Sequence, residues 1–400
     1  QDLYEIMEIA LPTALGNLSE FLPITFAMTM VGQMRGGGEG LELDALAMAN
    51  SYFNMTGLAL QYGLNSALRT LCPQAVGSGR SRQLSGIYVQ RATILATVAL
   101  VPSVVLAFNA ASVLGALGQP PAVAVLAQAY VVRVLPALAG IAFMTVLQRV
   151  LQAEGHILAN FCICFVVFLC APAIQYAANN VLGWGLEGAA IAFSAYNCLY
   201  LVLMVPYMLC ADMGHVFIPR SEALSASGMY SHLALALPGL ACQLLEWASM
   251  ELISIVAGTR PSAGVLIGAM GMMLNLEAIF AMCWVGFMVA VSIKVGHHIG
   301  AGEAHRAKRF SILGTGVACA LALAVAGGLY AARGPVVGLY TAHAGIAALG
   351  RSLVWACGLL ITANALNCTI QGVLTGAGLQ RYTATCNLLS WYVVAAPVAA

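Results

Sequence analysis

Four glutamates lie inside long apolar segments of this 400-residue sequence, at Glu20, Glu246, Glu251 and Glu277. A charged side chain at the centre of a bilayer is costly, so an acid in such surroundings is neutral, paired or functional. A carboxyl group held there can take up a proton from one side of a membrane and release it to the other. We therefore expect proton coupling at Glu246, Glu251 and Glu277, and we place Glu20 in a substrate cleft.

Glu246 is the strongest of these candidates. It lies about nine residues, or roughly 13 Å of helix, beyond Leu237, which places it near the middle of a bilayer. No Lys, Arg or His neighbours it at helical spacing. The alternative is a permanently protonated acid bonded to a backbone carbonyl. Glu251 is displaced from it by about 140° around a helix, so it faces a different neighbour.

Other polar and aromatic residues are weaker candidates for the functional site, because helix packing explains them as well. Asn275 shares a segment with Glu277, where function and helix packing explain the two residues equally well. Trp247 could stack on a planar or cationic ligand, but packing explains a single aromatic residue too. We add Trp247, Asn275, Asn364 and Gln371 to the predicted substrate cleft.

The composition indicates a membrane protein. Hydrophobic residues make up 61% of the sequence and charged residues only 8%, against about 25% charged in soluble domains. The net charge of +1 gives no basic field that would bind nucleic acid. The twelve Cys form no CxxC pair, and no phosphate loop, GxSxG or HExxH motif occurs. We expect no metal, no cofactor and no enzyme activity, with an ion gradient as the energy source.

Ten segments have the length and apolarity of membrane-spanning helices, and an eleventh begins near residue 384. Backbone groups facing lipid must be bonded internally, so continuous segments of this length predict an all-α bundle rather than barrel strands. The predicted spans are 9–33, 44–70, 87–110, 121–147, 157–181, 186–210, 231–257, 264–292, 311–333 and 345–372.

The two halves of the sequence repeat. Residue pairs recur at nearly constant offsets, 238 − 12 = 226 for the two prolines and 300 − 77 = 223 for the two glycine motifs. The pairs are Leu11-Pro12 with Leu237-Pro238, Glu20 with Glu246, Gly77-Ser78-Gly79 with Gly300-Ala301-Gly302, and Gln148 with Gln371. Repeat-built transporters bind their substrates near the midplane, between or within the repeats, which favours transport over a channel or an enzyme.

The repeat predicts two lobes of six helices. We place the N-lobe at 1–215, a cytoplasmic linker at 216–230, and a C-lobe with helices seven to eleven at 231–400, incomplete because the last span is cut at its end. Eleven Lys or Arg fall on one side of the predicted bundle and five on the other. Basic residues favour the cytoplasmic side, so we expect a cytoplasmic N-terminus.

Several motifs, in order along the chain, resemble the multidrug and toxic compound extrusion (MATE) transporters of eukaryotes. The stretch SALRTLCPQAVG at 66–77 looks like the SALDTLCGQAYG of that family, and LEWASME at 245–251 looks like LEWWSFE. Near the end, VGHHIGAG at 295–302 is similar to VSNELGAG, and GVLTGAGLQ at 372–380 is similar to GVARGSGWQ.

This resemblance implies two six-helix lobes in a V around a central cleft, and cation-coupled antiport that exports organic cations, xenobiotics, secondary metabolites or organic acids. It assigns the helix-seven acid to Glu246, followed by Glu251, and the polar position of helix eight to Asn275. The helix-ten acid of the family falls on Asn364, which cannot carry a proton. Arg69 replaces a further acid, and Pro73 replaces a glycine.

Two functions remain open at this point. The first is a proton-coupled antiporter for organic cations or secondary metabolites, with Glu246 as proton carrier and Glu277 as its helper. The alternative is an uncoupled facilitator or channel of the same fold, which the amide at Asn364 would explain. A membrane enzyme lacks any convergent set of acid, base and nucleophile. We expect a monomer that contacts lipid, protons and a small substrate, in the plasma membrane or a vacuolar or other organelle membrane.

Overall fold

The computed structural model describes residues 1–32, 41–258, 263–341 and 343–395. Over these residues it is helical and contains no strand, so the prediction of an all-α bundle is confirmed. The α-helices are α1 (Asp2–Gly32), α2 (Leu41–Phe53), α3 (Ala59–Leu64), α4 (Leu68–Gly77), α5 (Ser81–Phe108), α6 (Ala110–Ala116), α7 (Pro121–Arg133), α8 (Leu135–Ala153), α9 (Ile157–Tyr176), α10 (Gly185–Cys210), α11 (Ala226–Gly258), α12 (Ala263–Gly300), α13 (Ala304–Ala331), α14 (Arg333–Tyr340), α15 (Ala344–Gly376) and α16 (Gln380–Leu388).

Seven helical segments of the described chain are long and apolar enough to cross a membrane by themselves. They are Ser81–Phe108, Leu135–Ala153, Ile157–Val181, Gly185–Cys210, Gly268–Gly300, Ala304–Ala331 and Ala344–Gly376. Helices α1 and α11 are also long, at 31 and 33 residues, which exceeds the roughly 20 residues that a span requires.

Two predicted spans are interrupted near their middle. The span predicted at 44–70 runs from α2 to α4 and is interrupted by a π-helical turn at Asn54–Leu58 and a 3-10 turn at Asn65–Ala67. The span predicted at 121–147 is divided at Val134, between α7 and α8. Pro136 lies in the first turn of α8, where a missing N–H is tolerated but a continuous helix would be broken.

Most of the apolar core divides between the two halves of the chain. One hydrophobic cluster is built from buried residues between Ala45 and Val216. The other lies mainly on α12, α13 and α15, and it also includes Ile6, Ile9 and Ala10 of α1. Helix α1 is therefore anchored in the core of the opposite half. The lobe boundaries at 215 and 230 remain a prediction, although α11 already begins at Ala226.

The halves meet at the end of the bundle that carries Arg82, Arg220, Lys294 and Arg309, which we call the basic end. Ion pairs gather there: Lys294 Nζ lies 2.7 Å from Glu5 of α1. The hydrogen bond from Lys294 and its positive charge lower the pKa of the Glu5 carboxyl.

Two glycines bring the helices into backbone contact at this end. A Cβ on Gly77 would collide with the backbone carbonyl of His297, and a Cβ on Gly300 would collide with that of Gln74. The contacts are reciprocal, because 300 − 77 and 297 − 74 both equal 223, the offset of the sequence repeat. The two repeats are therefore related by a pseudo-twofold axis that passes through this interface.

The same relation holds deeper in the bundle. Gly63 of α3 packs against Leu240 of α11 with no space for a side chain, and Gly286 of α12 packs in the same way against Ala14 of α1. These contacts correspond at nearly the repeat offset, 286 − 63 = 223 and 240 − 14 = 226. The first helix of each repeat thus packs on the second helix of the other repeat, α1 on α12 and α11 on α3.

We predict that Gly286→Ala destabilises the protein by about 1–3 kcal/mol, because overpacking a filled contact forces the backbones apart. A Cβ at this position would lie 2.8 Å from both the backbone oxygen of Ala10 and the Cβ of Ala14. The measurement is the midpoint of thermal unfolding in detergent.

Gly316→Ala on α13 is the matched control, since nothing lies within 4 Å of its added Cβ. This control should be neutral or slightly stabilising, because alanine favours a helix over glycine. Equal midpoints for both variants would contradict the close α1–α12 contact.

Candidate functional site

A polar cluster lies in the second half of the chain, where α12 packs against α15. Glu277 on α12 is only 6% exposed. Asn364 on α15 donates a hydrogen bond from Nδ2 to Glu277 Oε1. The Asn364 oxygen in turn accepts from Cys368 Sγ, at 3.3 Å. The acid and the amide that the sequence singled out separately are thus direct partners.

Glu246 of α11 extends this cluster toward the cleft between the halves. Glu246 is a half-buried residue whose carboxyl group lies deep in the bundle, and the side chain of Gln371 on α15 approaches it. The charges of Glu277 and Arg69 act on it within electrostatic range. Arg69 belongs to α4 in the other half, so Glu246 and its nearest cation lie on opposite sides of the interface. Cys368 lies within range of the same three charged groups.

The first half contains an equivalent arrangement around Glu20 of α1. Its Oε1 accepts a hydrogen bond from Gln148 Nε2 of α8 at 2.8 Å and one from Cys164 Sγ of α9 at 3.1 Å. Gln148 is the repeat counterpart of Gln371, as Glu20 is of Glu246. Each repeat therefore places one glutamine beside one half-buried acid.

Two aromatic side chains meet across the cleft. The rings of Tyr62 on α3 and Trp247 on α11 are 6.1 Å apart at their centroids and form an edge-to-face pair at 66°. Edge-to-face packing is a favourable aromatic geometry. Because the rings come from opposite halves, this contact also responds to any movement of one half against the other.

Asn275 lies outside this cluster. Its Oδ1 accepts a hydrogen bond of 3.1 Å from the hydroxyl group of Tyr340, and it lines a separate open pocket with Tyr340 and Thr341. Asn275 and Glu277 are two residues apart on α12 and so face different directions around the helix. The structure therefore pairs Asn364 with Glu277, whereas the resemblance assigned Asn275 to the functional position on this helix.

The remaining predicted residues add no further contacts to this cluster in the described part of the chain. Glu251 follows on α11, but its side chain lies outside the part of the chain that the structure describes. No group of three or more His, Cys, Asp or Glu in the described part could hold a metal ion. His298 at the basic end instead bonds Glu303 at 2.8 Å through Nδ1 and stacks on the ring of Phe310.

Sequence reasoning missed several residues of the site. Cys164 and Cys368 contact the acids or their amide partners, yet isolated cysteines in apolar helices resemble packing residues. Arg149 and Gln152 line a small cavity with Arg69, which only the folded chain brings together. Gln148 could have been found, since its counterpart in the repeat, Gln371, was already in the predicted cleft.

Two helical repeats that meet about a pseudo-twofold axis, with acids between them, define a secondary transporter of the membrane. The sequence model of the MatE family matches residues 12–177 and 238–400. These segments begin 238 − 12 = 226 residues apart, the offset of the two Leu-Pro motifs. The chain belongs to the MatE family of multidrug and toxin extrusion transporters, and the resemblance found in the sequence is confirmed.

Relatives of this chain occur in animals and plants. It is 28% identical to "Multidrug and toxin extrusion protein 1" of Rattus norvegicus over 398 residues, which cover 100% of this chain and 69% of the relative. It is also 28% identical to "Protein DETOXIFICATION 33" of Arabidopsis thaliana over 400 residues, covering 98% of this chain and 80% of the relative.

Solved structures share the fold. The crystal structure of the eukaryotic MATE transporter AtDTX14 superimposes with a TM-score of 0.91 at 23% identity, covering 99% of this chain and 87% of the other. The Vibrio cholerae MATE transporter VcmN in its bent form gives a TM-score of 0.86 at 18% identity, covering 98% of this chain and 88% of the other. The predicted fold class, a two-lobed helical membrane protein of the MATE type, is confirmed.

We predict that Asn364→Leu lowers the stability of the protein by about 1–3 kcal/mol, because the buried Glu277 carboxyl loses its amide donor. Thermal unfolding in detergent measures the change. Asn109→Leu, at an exposed amide directly after α5 that bonds only the Val105 carbonyl in the described structure, is the control and should change little.

The double variant Glu277→Met/Asn364→Leu tests whether the two side chains act as a pair. Removing both partners of a buried bond costs less than removing one. The double variant should therefore lose less stability than the two single variants lose in total. Strictly additive effects would show that the Asn364–Glu277 bond does not form.

Proposed function

We propose that this protein is a proton-coupled antiporter that exports small organic molecules by alternating access, with Glu246 as proton carrier and Glu277 as its helper. The observation that supports it is the Glu246 carboxyl of a half-buried residue between the two halves, beside the Gln371 amide and within range of Glu277 and Arg69. An amide has both donors and an acceptor. It can donate to a carboxylate or accept from a carboxylic acid, so both protonation states can be accommodated.

The position of Arg69 suggests how protonation changes the conformation. When Glu246 is ionised, it attracts Arg69 across the interface and favours the arrangement in which the halves meet at the basic end. When Glu246 is protonated this attraction disappears, and the basic end can separate. In a low-dielectric environment the Coulomb energy between two such charges is far larger than in water. Proton binding would thus bias a two-state equilibrium, as coupling requires.

The substrate class is part of the proposal. Three acids and the Tyr62–Trp247 pair surround the cleft, and aromatic faces and carboxylates suit organic cations. We place the basic end in the cytoplasm, because basic residues concentrate there, in the plasma membrane or an organelle membrane. The protein acts as a monomer in this account, since each chain already contains both repeats.

An uncoupled facilitator of the same fold is the second candidate, and Asn364 favours it. Where the family motif leads one to expect an acid, this chain has an amide bonded to Glu277, which leaves fewer titratable groups in the cluster. The two functions differ in proton movement. Downhill substrate flux that leaves the internal pH of liposomes unchanged would establish the facilitator.

Coupled uptake into proteoliposomes tests the proposal. Wild type, with an inside-acid gradient, should accumulate a fluorescent organic cation above its external concentration. Glu246→Gln should reduce accumulation to the level of protein-free liposomes, because the amide cannot release a proton. Glu277→Gln should reduce it partially.

Glu187→Gln provides the matched control, since Glu187 forms an exposed ion pair with Arg133 and should behave as wild type. Accumulation by Glu246→Gln at the wild-type rate would refute the proposal. If wild type moves no organic cation, the same assay with organic anions tests the substrate class separately from the mechanism.

A further inference from the structure

We propose that a single small inorganic anion, of the size of chloride, binds between the two halves in a cavity formed by Arg69, Arg149 and Gln152. The cavity lies where α4 and α8 of the first half face α12 of the second. Pro73 and Val289 supply its apolar walls. This cavity does not contain Glu246 or Glu277, although Arg69 acts on Glu246 from a distance, and the site does not depend on the identity of the transported substrate.

Two hydrogen-bond donors of the residues that line this cavity lack acceptors. Arg149 is 8% exposed and Gln152 is 2% exposed. Arg149 Nη1 donates to Gln152 Oε1 at 3.0 Å, so the oxygen of this amide is occupied. Its Nε2 and the Nε of Arg69 are buried without any hydrogen-bond partner in the described structure. A buried donor without an acceptor costs free energy, and an anion would satisfy both of them.

Neither guanidinium group forms a direct ion pair in the described structure, and Glu246 acts on Arg69 only from electrostatic range. Over the described residues, no carboxylate oxygen lies within 4.0 Å of Arg69 or Arg149. Glu20 is within electrostatic range of Arg149, but its Oε1 is already bonded by Gln148 and Cys164. Arginine remains protonated in proteins. Two like charges therefore face one cavity, where an uncompensated buried charge is strongly destabilising.

The size of the cavity restricts the ligand. Its volume of about 10 Å³ admits one water-sized sphere, and a chloride ion, which is somewhat larger, requires a small shift of the Arg69 and Arg149 side chains. The available groups are donors and cations, which select an anion over a metal ion. A monatomic anion can contact the guanidinium groups of both arginines at once. A carboxylate-bearing substrate or a phosphate group is larger and would need the helices to separate.

Binding at this position has a consequence for the conformation. Because the cavity is closed by α12 of the opposite half, it is complete only while the halves are together at the basic end. An anion there would offset the mutual repulsion of Arg69 and Arg149 in that state. We expect chloride to stabilise the conformation seen in the structure, and hence the folded protein.

Thermal unfolding of the purified full chain in detergent tests this site. Sodium chloride is compared with sodium gluconate at equal ionic strength, since gluconate is too large for the cavity. Wild type should show a saturable rise of about 2 °C or more in the unfolding midpoint with chloride, as mass action requires for a ligand of the folded state. Arg149→Gln should abolish the rise.

Arg69→Glu distinguishes a lost site from a damaged fold. Its carboxylate supplies a permanent counter-charge to Arg149, so this variant should be at least as stable as wild type in gluconate and should show no response to chloride. Arg133→Gln, which removes an exposed arginine paired with Glu187, should keep the full response. A wild type that does not respond to chloride, or arginine-site variants that respond as wild type does, would overturn the proposal.

Discussion

The architecture depends on the backbone contact between the two repeats at the basic end. Gly77 and Gly300 each lie against a carbonyl of the opposite half, with no space for even a methyl group. Hydrogen bonds add to this contact: Gln74 Nε2 donates to the Gly376 oxygen at 3.0 Å, and Ser292 Oγ donates to the Arg69 oxygen at 3.1 Å. A contact of this kind is lost abruptly when the helices separate, because packed interfaces have discrete arrangements rather than continuous ones. That property suits a transporter that alternates between two states.

The acids follow the same symmetry, but their partners differ between the two repeats. Each repeat places a glutamine beside a half-buried glutamate, and in the described structure neither Glu20 nor Glu246 forms a direct ion pair with a cation. The second repeat adds Glu277 with its Asn364 partner, whereas the first adds Cys164. In our account the C-lobe therefore carries the proton. Charge within a membrane interior is costly enough that such acids need partners, and amides supply partners without fixing the protonation state.

Much of the fold and part of the candidate site could be predicted from the sequence, because they depend on the local pattern of apolar and charged residues. The apolar spans, the repeat offset and the unpaired Glu246 follow from composition and spacing, and the family from ordered motifs. Tertiary packing decides the rest. The break at Val134 depends on a proline that a hydropathy pattern averages out. The choice of Glu277 over Asn275 depends on which face of α12 meets α15. The convergence of Arg69 with Arg149 joins helices about 80 residues apart in sequence.

The central claim is that the halves separate at the basic end when Glu246 is protonated. Spin labels at Ser78 and Ala301, equivalent exposed positions beside the glycine contacts, measure this directly by double electron–electron resonance in lipid nanodiscs. We predict a short distance at high pH, a second and longer distance at low pH, and no low-pH shift towards the longer distance in Glu246→Gln. A single short distance at every pH, or the same pH response in Glu246→Gln as in wild type, would contradict the account.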